Sequence, residues 1–309
     1  MRKKALAFIL LTFSATNNLW AQGCSDAGVC TIHSIKINTI QDPGLTGSKN
    51  EFRISTGYAR GERETNIYTL QLEYARRLEA GFSFSGKLNY NSINGELAKI
   101  NGPGDIFLSV EKRFAEKAKW EKNVFAGLKI PLGNADERSN GLGLPMVYQP
   151  TLGTTDLLAG ISFTRKQWGI SLAYQQPLNN PNNNSFLVSQ YPAQHAANNY
   201  PSANRFSRKA DLVTRIAKSF TSGKHLQIQP GLLGIYHTGL DSYRDATNRE
   251  LHIEGSDGLT LNAIINLQYE TGKNNSLMLS AGTPLFVRDE RPDGLTRKFV
   301  LSLEYAFRF

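Results

Sequence analysis

Long hydrophobic runs are what this sequence most lacks. The only continuous apolar stretch is Ala5 to Phe13, and mean hydropathy is −0.35. A membrane-spanning helix needs about 20 consecutive apolar residues, so a helical membrane protein is excluded. Cysteine is nearly absent too, with Cys24 and Cys30 the whole supply. Two nearby cysteines in an exported chain suit a disulfide that clips a small loop. A metal reading would need His33 and a further ligand, and no convincing fourth group stands near them. No phosphate loop, paired-carboxylate site or Ser/His/Asp set stands out, so no cofactor and no metal is implied. The net charge of +9 invites a nucleic-acid partner. Lys and Arg are scattered, however, and no recognition motif accompanies them. A dispersed basic excess fits a solvated or lipid-headgroup-facing surface instead.

The N-terminus reads as an export signal. Arg2, Lys3 and Lys4 form its basic end, and Leu19-Trp20-Ala21 offers a cleavage site before Gln22. A lipoprotein signal ending at Cys24 is the weaker alternative, because Ala21-Gln22-Gly23 matches the usual pattern poorly. The chain thus divides into a signal peptide (1–21), a segment without alternation (22–48) and a long patterned body (49–309). The middle segment either hangs below the body or folds into it as a plug.

In the body, apolar and polar residues alternate with the period of a strand. Phe52, Ile54, Thr56 and Tyr58 alternate with Arg53, Ser55, Gly57 and Ala59. The same dyad recurs near 68–75, 82–90, 106–113, 123–130, 156–164 and 167–175. Weaker patterns cover 209–220 and 226–237, and clearer ones 259–270 and 276–286. The last is Lys298 to Phe309, with Phe299, Leu301, Leu303, Tyr305, Phe307 and Phe309 on one face. The count is about twelve, and aromatics gather near strand ends as interfacial girdles do. Links alternate between short (76–81, 115–122, 165–166, 221–224, 271–275) and long (92–103, 132–155, 177–208, 238–258, 288–297). That parity is produced by short turns on one side of a membrane and long loops on the other. The expected fold is all-β, a transmembrane antiparallel barrel of about twelve strands. The longest loop, around Asn179 to Asn184, is expected to carry a mobile tip.

A barrel in hydrocarbon must close, since each unpaired backbone group costs several kcal/mol. Closure sends one face of every strand inward. The expected lining residues are Arg53, Glu73, Lys87, Glu111, Arg113, Lys129, Asp156, Asp211, Arg215, Glu270, Lys298 and Glu304, with Arg308 beside them. Near balance of charge forecasts no strong ion selectivity. These residues either satisfy one another across a packed lumen or border a narrow aqueous path. Leu158, Leu233, Ile235, Ile264, Met278 and Val300 also point inward. They form either a greasy patch for an apolar solute or a contact for an inward-folded loop.

The terminal aromatic at a strand end resembles the C-terminal signal of Gram-negative outer-membrane barrels, which implies the barrel-assembly machinery as a partner. Gly104-Asp105 through Lys112-Arg113-Phe114 looks like a G-D-x(6)-[YK]-R-[LF] strand. Gly127 to Gly133 and Gly153 to Gly160 follow in order. Together they resemble the outer-membrane barrel family catalogued under the meta-pathway of phenol degradation, described as transporter-like. The resemblance covers about 52–309. It implies a channel or uptake protein for a small, often aromatic or apolar, solute; the barrel itself is expected to be a monomer. A structural or surface-binding barrel is the alternative reading. An outer-membrane phospholipase is disfavoured, because His237-Thr238-Gly239 has glycine where such enzymes place their attacking hydroxyl.

Overall fold

The computed structural model describes residues 48–114, 120–294 and 297–309. The signal peptide, nearly all of the segment 22–48 and the Cys24–Cys30 pairing lie outside the described residues.

The strands are β1 (Asn50–Gly61), β2 (Asn66–Arg77), β3 (Phe82–Asn94), β4 (Lys99–Phe114), β5 (Glu121–Pro131) and β6 (Asp156–Arg165). They continue with β7 (Trp168–Pro177), β8 (Asp211–Lys218), β9 (Leu226–His237), β10 (Gly258–Glu270), β11 (Asn275–Phe286) and β12 (Arg297–Arg308). After a break at Ser219, β8 resumes as Phe220–Ser222, so the 13 segments of the sheet make twelve staves. Each pairs antiparallel with its sequence neighbour. The ring closes where β1 meets β12, from Glu51↔Arg308 to Gly61↔Arg297. With both edges paired, no ladder group within the span faces lipid unsatisfied.

Alternation decides which side chains meet lipid. Ile54, Leu72, Leu128, Leu172, Leu232 and Leu303 all point outward and are exposed. An apolar belt this extensive is untenable on a water-soluble monomer, whereas in a bilayer it is the solvated face. Aromatic rings bound it. Tyr58, Tyr68, Tyr90 and Tyr236 mark the loop side, and Phe84, Trp168, Tyr269 and Phe307 the turn side. At the turn side the Lys218 ammonium lies over Trp168 (5.3 Å) and Phe220 (5.0 Å). Such a lysine snorkels toward headgroups, and the scattered basic excess is explained in part by it.

Turn-side links are tight. Lys166-Gln167 joins β6 to β7 with Lys166 in the left-handed region (φ 53°), and Gly223 (φ 68°) opens the turn into β9. The long loops leave from the opposite rim, with one exception to the expected lengths. Residues 92–103 are mostly strand, and only Gly95 to Ala98 link β3 to β4. The link between β1 and β2 is equally brief. These two hairpins rise past the girdle as paired strands because Ile67 and Ile93 have loop residues to pack against.

The outer loops build a small core of their own over the mouth. Leu144, Met146, Tyr148, Phe186, Tyr200 and Phe206 bury one another against Ala59, Ile67, Ile93 and Val300. Tyr148 is wholly buried, its hydroxyl oxygen accepting from the Leu97 amide at 3.1 Å. Gly95 permits this approach, since a Cβ there would sit 2.3 Å from the Tyr148 oxygen. The asparagine-rich run is no mobile tip. Buried Asn182 donates to the Leu152 carbonyl (2.9 Å), and buried Asn184 donates to those of Ala135 (2.8 Å) and Leu144 (3.1 Å). Their short amides satisfy the backbone of the neighbouring loop, which is why that loop tolerates burial.

Candidate solute path

Three layers succeed one another through the lumen. Nearest the turn-side rim is a charge network. Arg53, on β1, meets Glu51, reaches Glu73 of β2 at 2.7 Å and lies 3.8 Å from Glu304 of β12. Arg308 joins it through Glu51 (3.4 Å) and Glu270 (3.6 Å). Four carboxylates thus share two guanidiniums, and the expected residues Arg53, Glu73, Glu270 and Glu304 fall in one cluster. Glu51 also belongs to it, since alternation places it on the face of Arg53. Arg113 lies at the same rim, half-exposed, 3.8 Å from Glu121, and Glu111 is partly buried two positions above it.

Above this lies an apolar band. Phe107, Phe125, Leu158, Ala173, Val213 and Leu233 bury one another, with Ile235 and Ile264 packed against them. The expected inward residues all follow residue 157, yet β4 and β5 supply the band's two rings. Register explains the fit. Phe125 pairs with Gly160 of β6, where a Cβ would come within 2.5 Å of the ring, so glycine yields its space to the aromatic. Lys87 crosses the lower margin of the band with its ammonium 4.6 Å from the Phe107 centroid. Val300 belongs elsewhere, to the loop core, as a contact for an inward-folded loop would.

The third layer is polar and buried. Lys129 and Asp156 are register partners with no exposed side-chain surface, and Nζ lies 2.9 Å from Oδ2. Thr154 donates to the other carboxylate oxygen at 2.6 Å, and Gln175 donates to Oδ2. Arg215, by contrast, is buried on the turn side of the apolar band, two residues below Val213, with Nη2 3.3 Å from the Gln229 side-chain oxygen. Beneath the loops a cavity of about 30 Å³ is left, bordered by Asn89, Asn91, Asp105 and Thr151, room for about one water.

Two expected lining residues sit at the outer rim instead. Lys298 reaches Glu64 in the β1–β2 link at 3.3 Å. Asp211 is held under the loops by Arg208 and by His237 at 2.7 Å. Among the described residues no group of acidic, His or Cys side chains is arranged to hold a metal ion.

Twelve antiparallel staves, an apolar exterior between aromatic rings and a narrowed lumen define the fold of an outer-membrane channel barrel. The chain superposes on the COG4313 outer membrane channel from Pseudomonas putida F1 with a TM-score of 0.62 at 12% identity, covering 88% of this chain and 100% of that one. The KdgM porin (TM-score 0.45, 9% identity, 84% of this chain and 99% of that) and the NanC porin (0.46, 11%, 84% and 98%) superpose less closely. No family profile and no curated protein matches the sequence. The resemblance to the phenol meta-pathway family is therefore not supported at the level of that family. What stands is the fold, a closed antiparallel barrel of twelve strands.

Proposed function

We propose that the chain resides as a monomer in the outer membrane of a Gram-negative bacterium and conveys a small apolar or aromatic solute through its lumen. The observation that carries this reading is the lumenal band of Phe107, Phe125, Leu158, Val213 and Leu233 between two polar layers. A lumen meant for water-soluble cargo gains nothing from inward phenylalanines, whereas an apolar solute is favoured there by about 25 cal/mol per Å² removed from water. The C-terminal strand is the segment that the assembly machinery would engage. The reading is non-enzymatic, and it is supported by the two carboxylates that occupy both ring nitrogens of His237.

The test is paired. Planar bilayers should show stepwise currents, and proteoliposomes should take up a benzene-sized solute faster than a hexose. Phe125→Ala should raise conductance and weaken that discrimination. Hexose moving as fast as the aromatic in the native chain would refute the apolar path. Electrical silence with phospholipid cleavage would make the barrel an enzyme, and silence without it would favour a surface-binding role.

A further inference from the structure

At the rim above Tyr236, outside the lipid-facing span, three outer loops converge on one buried charge cluster. Arg208 comes from the loop before β8, Asp241 and Ser256 from the loop after β9, and Arg288 and Asp293 from the loop after β11. Asp211 and His237 are contributed by the strand ends. All seven are buried. His237 Nδ1 lies 2.7 Å from Asp211 Oδ1 and Nε2 lies 2.8 Å from Asp241 Oδ1. Arg208 meets Asp211 and lies 3.4 Å from Asp293, which Arg288 also meets at 2.5 Å.

A carboxylate accepts and does not donate, so a ring with one carboxylate on each nitrogen must donate from both and is an imidazolium. The charge balance agrees. Asp211, Asp241 and Asp293 supply three negative charges, Arg208 and Arg288 two positive ones, and only a protonated His237 brings the cluster to neutrality. Burial opposes charge on the ring, and the hydrogen bonds it donates to Asp211 and Asp241 outweigh it. Burial likewise opposes charge on Arg208, and Asp211 and Asp293 hold its pKa above the ordinary value. Yet Asp241 Oδ2, Arg208 Nη1 and Arg288 Nε are buried without hydrogen-bond partners. A network with three open positions has little reserve once a charge is lost.

We propose that this cluster is an electrostatic latch that clamps the outer loops over the barrel mouth and opens when pH rises. The direction is opposite to the usual acid-triggered histidine switch. Folding favours the charged ring, so the latch is fully engaged below the ordinary histidine value of about 6.5 and weakens as pH climbs past the raised value in the fold. Deprotonation leaves two buried carboxylates facing a neutral ring, and the loops that carry Asp241, Arg208 and Asp293 come apart. Mild acidification leaves every partner charged and the mouth shut.

The full chain can be tested in planar bilayers from pH 5 to pH 10, alongside trypsin cleavage after exposed Lys209, normalised to a free peptide of the same sequence. Cleavage and conductance should be flat on the acid side and rise at alkaline pH, cleavage by about tenfold, equivalent to about 1.4 kcal/mol in the loop equilibrium. His237→Gln should show the open values throughout. Asp241→Asn, which keeps the ring, should move the transition to lower pH. The proposal is overturned if acidification opens the loops, if the native chain shows no transition, or if Asp241→Asn leaves the midpoint in place. Proteolysis reads the latch even in a barrel that carries no current, so its failure and that of the channel reading are separable.

Discussion

Replacing Lys129 by methionine tests whether the upper lumen is dry. The pair it forms with Asp156 has no exposed side-chain surface on either partner. Removing one member of a buried ion pair strands the other, at a cost of about 3–5 kcal/mol. Thr154 and Gln175 still donate to Asp156 in the variant, which places the expected loss near the lower limit, about 3 kcal/mol. Converting both residues, as Lys129→Met with Asp156→Leu, removes the stranded charge and should recover most of that loss, because apolar replacement of a buried pair is often neutral. Urea unfolding from detergent micelles, followed by tryptophan fluorescence, gives the four corners of a double-mutant cycle. A coupling of about 2 kcal/mol or more is expected. If the single variant costs under about 1 kcal/mol, or the double variant costs the sum of the two singles, water reaches the pair and the lumen is open at this level.

Three further outcomes are expected. Leu303→Arg, on the lipid face at mid-span, should destabilise by about 2–4 kcal/mol and impair membrane assembly. Ser302→Arg, beside Gly57 and Ser280 on the inner face, should assemble normally, and equal tolerance would reverse the assigned faces. Gly160→Val should cost about 1–3 kcal/mol in thermal unfolding by displacing the Phe125 ring, and a neutral result would mean that the ring already turns freely. The carboxylate of Asp245, in the loop hairpin Ser242–Arg244/Glu250–His252, accepts from the Arg249 and Thr247 amides and has its pKa lowered to about 2. Its contribution to the hairpin tip should be complete above the ordinary value of about 3.9 and disappear as pH falls through about 2, where carboxyl NMR would show it titrating. Titration near 4 would contradict this.

The barrel itself was legible because its physics is periodic. Each stave repeats every second residue, and all twelve expected strands are present, including the weakly patterned β8 and β9. Ser219 interrupts the first of these, and Pro230 and two glycines dilute the second, so neither alternates cleanly. The lumenal charge cluster followed from the same alternation. What alternation does not encode is how non-neighbouring staves and loops meet. Phe107 and Phe125 are polar-face positions by parity, yet they are apolar by side chain, and only the closed ring brings them to Leu158 and Leu233. The latch was invisible for a stronger reason. Arg208, Asp241, Arg288 and Asp293 sit in three separate loops with no repeat to place them, and His237 reads from sequence as a lone rim residue. The asparagine run misled in the opposite sense, since composition suggests solvated chain while the amides serve as cross-braces.

At the turn-side rim, Asn50 and Phe309 exchange two backbone hydrogen bonds of 3.0 Å each. A ladder that returns to its origin has no privileged stave, and the seam where the first and last strands meet is hydrogen-bonded like any other. The order in which the strands are strung is then separable from the object they make. A chain opened at Gly223 and spliced across Asn50 and Phe309 by a short linker would describe the same cylinder.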